Sequence, residues 1–510
     1  MRLTNLVVLS VVATGCSLLT PLDGLGSSGL QPGPDASNDT STDAPFVDAG
    51  PDRDAGPKPV GAFAFADVWG TAARLESVAA LSGGGYVVGG SYQLYSSDVV
   101  VGSYFLPKPS GLDALVVATD AKGNVTGTLG FGGSTSEVVT AVAAGAGSTI
   151  FVAGSTFGAT TLNGAPLPMG GFIAALDATD LKKAPPWVRP LQGAWATVCP
   201  SCLAATVDGV LALVRFGPQV TSNPTLDFGD TVTTNGGDDL VLVKLGTTGL
   251  PQWKRQIGSV GDETPGALRV DASGGVYLTA GFAAALVPNQ AFATPPPPVG
   301  STSTLLVAKF SSTGAPVWNK TYGDKNGGSA NAPCIASDGS GHVAVGINFS
   351  GGLDLGLGTI GASGGDGIVI SLDESKLSTL WQTQIGAADV DSIAGCGFDP
   401  WGHVAVVGRY RQGPKLGSFT LPPSDLDAPF VAKLSPSGEP EWAHGYPRLG
   451  VDGGPTYGEG PAVTSLAIGT DGKVVFAGEM KGYNDFGGGT AYTITNVKGY
   501  GDALLVGLTP

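Results

Sequence analysis

The chain is poor in charged residues, and it has no surplus of positive charge. Only 13% of its 510 residues are charged, and the formal net charge is -16. Nucleic acids and anionic membrane surfaces require a basic surface on the protein that binds them. The charge balance therefore argues against both as partners. The simplest explanation of the negative charge is that it keeps the protein soluble.

Long apolar segments and helical periodicity are also missing. No stretch of about 18 uninterrupted apolar residues occurs, which a transmembrane helix would need. The sequence instead has 82 glycines and short runs of Val, Leu and Ala, which is typical of many strands joined by turns. We therefore expect an all-β protein without a membrane-spanning helix.

The N-terminus has the pattern of a secretory signal. Met1 and Arg2 precede an apolar run from Leu6 to Ala13, and small residues separate this run from Cys16. We predict a lipoprotein signal peptide over residues 1–15. The apolar run is too short to remain as a transmembrane helix.

Residues 13–16, Ala-Thr-Gly-Cys, resemble the bacterial lipobox, with alanine where leucine is usual. The resemblance implies cleavage before Cys16 and acylation of its thiol, whereas the alternative is cleavage as a plain secreted protein. Several acyl chains would hold the protein on a membrane, because each buried methylene adds about 0.8 kcal/mol. Ser17 follows the cysteine, and in the enteric sorting pattern a residue other than Asp there implies an outer-membrane lipoprotein.

Residues 16–60 are predicted to form a disordered tether. Between Pro21 and Pro59 the chain carries seven Asp against one Arg and one Lys, with frequent Pro and Gly. Such a segment cannot bury enough apolar surface to fold, and proline and charge repulsion keep it extended. The tether would hold the body of the protein, residues 61–510, away from the membrane.

The body repeats one unit of about 61 to 70 residues seven times. Each unit contains an apolar strand that ends near glycine, at 85–92, 149–156, 210–217, 276–282, 342–349, 403–410 and 473–480. A second apolar strand starts near an acidic residue or glycine, at 113–120, 171–178, 239–246, 304–311, 367–374, 429–436 and 502–509. One strand before and one after this pair complete a four-stranded propeller blade.

A tryptophan opens the last strand of most units, after a turn that contains glycine. These tryptophans are Trp187, Trp253, Trp318, Trp381 and Trp442. Gly127 takes their position in the first unit, so we expect loose packing there. The seventh unit ends at Pro510 without such a strand, but residues 62–70 supply one, with Phe65 at the tryptophan position.

An N-terminal strand that completes the C-terminal blade would close the ring and remove two exposed sheet edges. An open stack of repeats would instead need polar caps. We therefore predict a single seven-bladed β-propeller with four-stranded antiparallel blades, closed by the strand around Phe65. A β-helix or two sandwiches are the alternatives.

The order of an apolar strand, a loop, an Asp-Ala-apolar strand and Gly-x-x-x-Trp resembles the bacterial β-propeller repeats called SBBP, which are found on exported surface proteins. Residues 313–318, Thr-Gly-Ala-Pro-Val-Trp, are similar to the Trp-docking motif of quinoprotein propellers. That family includes quinone-dependent dehydrogenases and outer-membrane assembly lipoproteins. The resemblance implies that Phe65 and the repeat tryptophans lock neighbouring blades together and carry no chemistry.

The sequence matches two known functional motifs, but the high glycine content explains both matches as chance. Gly356, Gly358 and Gly361 have the spacing of a dinucleotide fingerprint, and Gly361, Ser363 and Gly365 have that of a nucleophile elbow. Both motifs need a helix to follow them, and none is expected. The sequence contains no HExxH, EF-hand or Walker pattern. We therefore predict no catalytic or cofactor-binding residue.

The three histidines give no better indication of a site. His342 and His403 occupy equivalent positions at strand starts, which repetition explains better than metal binding, and His444 follows a repeat tryptophan. The turns at Asp338 and Asp471 offer too few ligands for a strong Ca²⁺ loop. We predict no metal-binding residue, although loop carboxylates could still bind Ca²⁺ across blades.

Four cysteines remain after Cys16, an even number that suits an oxidising compartment. We predict a disulfide between Cys199 and Cys202 and another between Cys334 and Cys396. Cys334 and Cys396 lie in the innermost strands of adjacent blades. Free buried thiols are the alternative. A four-cysteine zinc site is disfavoured because the blades separate the pairs, and a redox CxxC because no helix N-terminus is expected.

Connections between the second and third strands are long and unequal, for example 93–112 and 283–303, and they emerge on one face. Variable loops on a rigid scaffold are typical of a binding face, although they could be tolerated insertions. We predict a non-enzymatic, lipid-anchored protein of the cell envelope, with a monomeric body that binds protein or glycan. The alternatives are an outer-membrane assembly scaffold and an enzyme, either a quinone-dependent oxidoreductase or a carbohydrate lyase or hydrolase.

Overall fold

The computed structural model describes the body of the chain with short gaps. The described residues are 61–69, 72–93, 99–191, 195–217, 225–289, 291–299, 303–323, 328–386, 389–447, 462–480, 483–487, 491–493 and 501–510. The predicted signal peptide, the tether and Cys16 lie outside them. Within these ranges no helix is long and apolar enough to cross a membrane.

Seven four-stranded sheets form the blades of a propeller, as the repeats predict. The first described strand is β1 (Phe63–Trp69), and blade 1 follows it with β2 (Ala73–Ala80), β3 (Tyr86–Gln93), β4 (Val100–Val101), β5 (Tyr104–Phe105), β6 (Leu112–Thr119) and β7 (Val125–Phe131). Blade 2 contains β8 (Glu137–Ala144), β9 (Thr149–Thr156), β10 (Thr160–Leu162), β11 (Ala165–Leu167), β12 (Gly170–Asp177) and β13 (Trp187–Leu191). Blade 3 contains β14 (Trp195–Thr206), β15 (Gly209–Gly217), β16 (Thr225–Asp227), β17 (Thr231–Thr233), β18 (Asp239–Gly246) and β19 (Pro251–Ile257). Blade 4 contains β20 (Thr264–Val270), β21 (Val276–Phe282), β22 (Thr304–Phe310) and β23 (Pro316–Tyr322); blade 5, β24 (Ala330–Ser337), β25 (His342–Phe349), β26 (Gly352–Asp354), β27 (Thr359–Gly361), β28 (Asp366–Asp373) and β29 (Ser378–Ile385); blade 6, β30 (Ser392–Phe398), β31 (Val404–Tyr410), β32 (Lys415–Leu416), β33 (Phe419–Thr420), β34 (Ala428–Leu434) and β35 (Pro440–Gly445); and blade 7, β36 (Ala462–Ile468), β37 (Val474–Met480), β38 (Tyr483–Asp485), β39 (Ala491–Thr493) and β40 (Asp502–Leu508).

The first strand of each blade lies at the central channel, and the fourth strand lies at the rim. First strands of neighbouring blades contact one another around the ring. The third strands are buried along most of their length, and β18, β34 and β40 at every residue, because neighbouring blades cover both faces of each sheet. This two-sided burial explains why the third strands are continuous apolar runs instead of alternating ones.

Strand β1 closes the ring by pairing with β40, the third strand of blade 7. The pairing is antiparallel, with Phe65 opposite Gly507 and Trp69 opposite Ala503. Beyond the strand, the Thr509 backbone N–H donates to the Ala62 carbonyl at 2.8 Å. The structure therefore confirms the predicted closure of the last blade by an N-terminal strand.

Six of the connections between second and third strands contain a two-stranded ribbon among the described residues. The ribbons pair β4 with β5, β10 with β11, β16 with β17, β26 with β27, β32 with β33 and β38 with β39. The Tyr104 hydroxyl donates to the carbonyl of Thr126 at 2.7 Å, and the Asn163 amide nitrogen donates to that of Leu181 at 2.8 Å. Both acceptors lie at or before the start of a fourth strand, so these ribbons fold back along the rim.

The corresponding connection of blade 4 packs differently. Its described residues form no ribbon, and the ring of Phe292 lies 5.6 Å from that of Phe310. The Asn289 side-chain nitrogen donates to the Gln256 carbonyl at 2.9 Å. The long connections therefore lie on the outer edges of the blades, a course that the sequence pattern did not indicate.

Removing β1 should destabilise the ring and expose a sheet edge. A chain that starts at residue 72 would leave the outer edge of β40 unpaired, and unpaired edges associate with other chains. We expect a lower unfolding temperature and concentration-dependent self-association, measured by calorimetry and light scattering. A chain that starts at residue 61 keeps β1 and is the control. Equal unfolding temperatures for the two chains would contradict the closure.

Candidate functional site

Aromatic side chains at the rim pack on glycines of the following blade. A methyl group at Gly249 would lie 2.6 Å from Cδ2 of Trp187, so the indole ring rests directly on the glycine backbone. The same contact joins Trp253 to Gly314, Trp381 to Gly438, Trp442 to Gly61 and Phe65 to Gly123. The resemblance to docking motifs implied this role, and the last pair joins blade 7 to blade 1.

Two blade junctions use other residues for this contact. At the junction of blades 1 and 2, Gly127 lies on the strand and Leu181 of the neighbouring turn lies beside it, 3% exposed. The expected loose packing is therefore not found there, because the large side chain comes from the other blade. At the junction of blades 4 and 5, Nε1 of Trp318 lies 3.5 Å from a carboxylate oxygen of Glu374.

The structure contains both predicted disulfides. The bond between Cys334 and Cys396 joins the first strands of blades 5 and 6, and these side chains are 0% and 3% exposed. The bond between Cys199 and Cys202 lies within β14. Residues 199–202 form a bulge there, because the pairing with β15 is interrupted between Val198 and Leu203.

A cavity of about 300 Å³ lies at the rim between blades 2 and 3. It is lined by Trp187, Val188, Arg189, Pro190, Asp227, Thr248, Gly249 and Leu250. Nη2 of Arg189 donates to the Asp227 carbonyl at 3.3 Å, and its guanidinium carbon lies 5.7 Å from the ring centre of Phe228. The cavity therefore presents a fixed cation, a carboxylate and a hydroxyl beside apolar surface.

Of the residues that line this cavity, the sequence singles out only Trp187, as a blade-docking residue, and it does not indicate the polar ones. Arg189 lies on the outer strand β13, whereas Asp227 ends the ribbon strand β16. Because the ribbon folds back along the rim, residues from two blades meet there. The sequence carries no signal for this meeting, since strands of three residues have no measurable periodicity.

A pair of buried carboxyl groups lies between blades 3 and 4. Glu263 is 0% exposed and accepts hydrogen bonds from the Ser259 backbone N–H at 2.8 Å and the Ser259 hydroxyl at 2.5 Å. Burial raises its pKa to about 8, with a smaller contribution from the charge of Asp239. The raised pKa favours the protonated form of Glu263 at neutral pH, in which its carboxyl can donate a hydrogen bond to Asp239.

His403 belongs to a buried ion cluster near the tight turns of blade 6. Its Nδ1 lies 3.1 Å from Oδ2 of Asp399, and its Nε2 lies 3.4 Å from a carboxylate oxygen of Glu441. Nζ of Lys433 also lies 2.8 Å from Oδ2 of Asp399. The hydrogen bond to Asp399 raises the pKa of His403, so this histidine has its partners within the fold.

Metal ligands are not grouped in the part of the chain that the structure describes. No three side chains of His, Cys, Asp or Glu are arranged there to hold a metal ion. Binding of Ca²⁺ by loop carboxylates across blades stays a prediction from the sequence.

Substitution of a docking glycine should destabilise the ring at one junction. Gly249→Ala would force a methyl group into Trp187, whereas Gly339→Ala places one in open space at a similar φ, +69° against +76°. We expect Gly249→Ala to lower the free energy of unfolding by about 1–3 kcal/mol more than the control, as overpacking does. Urea denaturation measures the difference, and equal losses would contradict direct docking.

Ionisation of Glu263 should make the protein less stable in alkali. The folded state raises the pKa of this carboxyl from 4.5 to about 8, so stability falls as pH rises through this window. Glu263→Gln keeps a neutral side chain with a donor and an acceptor. We expect the variant to unfold at a higher temperature than the wild type at pH 9, and to show a flatter pH dependence between pH 6 and pH 9.

The exposed Glu439 provides the charge-matched control for this experiment. Glu439→Gln removes the same charge without touching the buried pair, so its unfolding temperature should follow the wild type across the pH range. A parallel pH dependence for Glu263→Gln and the wild type would refute the assignment of the proton to this pair.

No protein-family model matches the chain, and no curated protein matches it in sequence. Solved structures resemble it at low identity. BamB from Moraxella catarrhalis is 13% identical, with coverage of 88% of this chain and 97% of that chain and a TM-score of 0.36. Quinohemoprotein alcohol dehydrogenase from Comamonas testosteroni is 11% identical, with coverage of 87% of this chain and 76% of that chain and a TM-score of 0.37. A europium-containing methanol dehydrogenase is 12% identical, with coverage of 88% of this chain and 93% of that chain and a TM-score of 0.38. This similarity extends to the propeller fold alone and assigns neither activity nor ligand.

Proposed function

We propose that the chain is an exported, lipid-anchored protein of the cell envelope whose propeller binds a protein or glycan without catalysing a reaction. The export and anchoring rest on the sequence of residues 1–16. The binding function rests on the rim cavity between blades 2 and 3, where the ribbon of β16 and β17 meets the outer strand β13.

The side chains of the cavity suit a ligand that carries both polar and apolar groups. The guanidinium of Arg189 can donate to a carboxylate or to sugar hydroxyls, and Asp227 and Thr248 can accept hydrogen bonds. Leu250 is 63% exposed at the same place, so it offers apolar contact area. A peptide or a glycan can supply both kinds of group.

The scaffold keeps this cavity rigid. Trp187 packs on Gly249 beneath the cavity, and Arg189 is held against Phe228 and the Asp227 carbonyl. Residues that are positioned before the ligand arrives lose little conformational entropy on binding. A site between two docked blades is therefore a suitable place for recognition.

Site-specific photo-crosslinking in intact cells tests the proposed site. A benzophenone amino acid at position 250 lines the cavity, whereas one at Val317, which is also apolar and 55% exposed, lies outside it. Benzophenones react with C–H bonds of proteins and sugars, so the mass of the adduct distinguishes the two ligand classes. We expect an adduct from position 250 and none from position 317.

A second substitution links the adduct to the cavity chemistry. In the chain labelled at position 250, Arg189→Gln should reduce the yield of adduct about tenfold, since a hydrogen bond to a charged group contributes about 1.5–3 kcal/mol. Equal labelling from positions 250 and 317, or a yield that Arg189→Gln leaves unchanged, would contradict the proposed site.

A further inference from the structure

The first strand of blade 3 has a larger irregularity in its pairing than the other six first strands have. Each first strand has an irregularity in its pairing with the second strand. In five blades a single residue is out of register, for example Glu76 between Leu75 and Ser77, and in blade 5 two residues are. In blade 3 four residues, 199–202, are out of register.

These four residues extend into the central channel. The carbonyl of Pro200 accepts a hydrogen bond from the Ser77 hydroxyl of blade 1 at 3.0 Å. The carbonyl of Ser201 lies 3.5 Å from Nη1 of Arg269 in blade 4. Strand β14 also approaches β36 of blade 7. Because blades 1 and 7 do not adjoin blade 3, the bulge reaches across the axis of the ring.

The two cysteines of the bulge differ in exposure. Cys199 is partly exposed, and its Sγ lies 3.4 Å from the Gly266 carbonyl oxygen, whereas Cys202 is fully buried. Both cysteines of the other disulfide, Cys334 and Cys396, are buried between blades. Of the two disulfides, the one at Cys199 is therefore the more accessible to an external thiol.

We propose that the disulfide of Cys199 and Cys202 is a thiol-exchange site that fixes the bulge across the axis of the ring until it is reduced. A small external thiolate attacks Sγ of Cys199, which forms a mixed disulfide and releases Cys202 as a thiolate that takes up a proton. A second external thiolate attacks the sulfur of the external group, which releases Cys199 as a thiolate and leaves an external disulfide. The protein gains two electrons and two protons, and two external thiols are oxidised.

Reduction removes the one covalent constraint within the bulge. Without the disulfide, residues 199–202 are held by the hydrogen bonds of two carbonyls with Ser77 and Arg269 and by packing of the cysteine side chains on the core. A four-residue loop gains conformational entropy when its ends are released. The ring itself does not depend on this bond, since its blades are joined by docking at the rim and by closure through β1.

Stepwise reduction of the folded full chain tests the proposal. The protein is titrated with tris(2-carboxyethyl)phosphine or dithiothreitol, free thiols are alkylated, and the sites are read by mass spectrometry. We expect labelling of Cys199 and Cys202 at reductant concentrations that leave Cys334 and Cys396 unlabelled. Over the same range, amide hydrogen exchange in β14 and in the β2 segment around Ser77 should become at least about tenfold faster, with the circular dichroism spectrum unchanged.

Two double variants distinguish the effect of the Cys199–Cys202 disulfide on the bulge from a general loss of stability. Without reductant, Cys199→Ser with Cys202→Ser should reproduce the fast exchange in β2 and β14, whereas Cys334→Ser with Cys396→Ser should leave these strands protected. If the first variant does not fold, the titration of the wild type decides. Labelling of all four cysteines together, or labelling of Cys199 without faster exchange in β14, would overturn the proposal.

Discussion

Every blade of this propeller must be covered on both faces, and the rest of the structure follows from this constraint. The third strands are apolar at successive positions, so a blade alone would expose two hydrophobic faces. Neighbouring blades provide the cover, and at five of the seven junctions an aromatic residue at the rim fixes their distance by resting on a glycine backbone, as Trp187 does on Gly249. Since the first and last blades also need cover on both faces, they pack against each other and the sheets form a ring.

Hydrogen bonds between first strands support the same constraint at the axis. The Thr140 hydroxyl donates to the Val198 carbonyl of the next blade at 2.6 Å, and the Thr464 hydroxyl donates to that of Leu75 at 2.8 Å. At another junction the hydroxyl of Thr279, which lies in the second strand of blade 4, donates to the Ala332 carbonyl of blade 5 at 2.7 Å. Polar groups at the centre of the ring are therefore satisfied by adjacent blades, which limits the cost of burying them.

Repetition made the fold predictable, because each of the seven units repeats the same two apolar strands and the chain termini supply complementary halves of one blade. Departures from repetition were not predictable. Leu181 fills the space beside Gly127 from a turn, and no periodic pattern marks a turn residue as buried. The rim cavity depends on how a ribbon folds back over the outer strand, which brings Asp227 to Arg189 across two blades. The buried pair of Asp239 and Glu263 likewise joins the third strand of one blade to the residue just before the first strand of the next, and sequence alone does not measure such proximity.

The direction of β1 gives the closing strand a mechanical role. The chain enters this strand at Ala62, beside the Thr509 end of β40, and the two strands run antiparallel with six residue pairs, the first of which a bulge at Ala64 separates from the other five. A pull at Ala62 that is directed along the axis of β1 loads all of these pairs at once, as in shear, whereas a pull across the strand would break them one after another. The pairing of β1 with β40 therefore withstands a pull along the strand better than a pull across it.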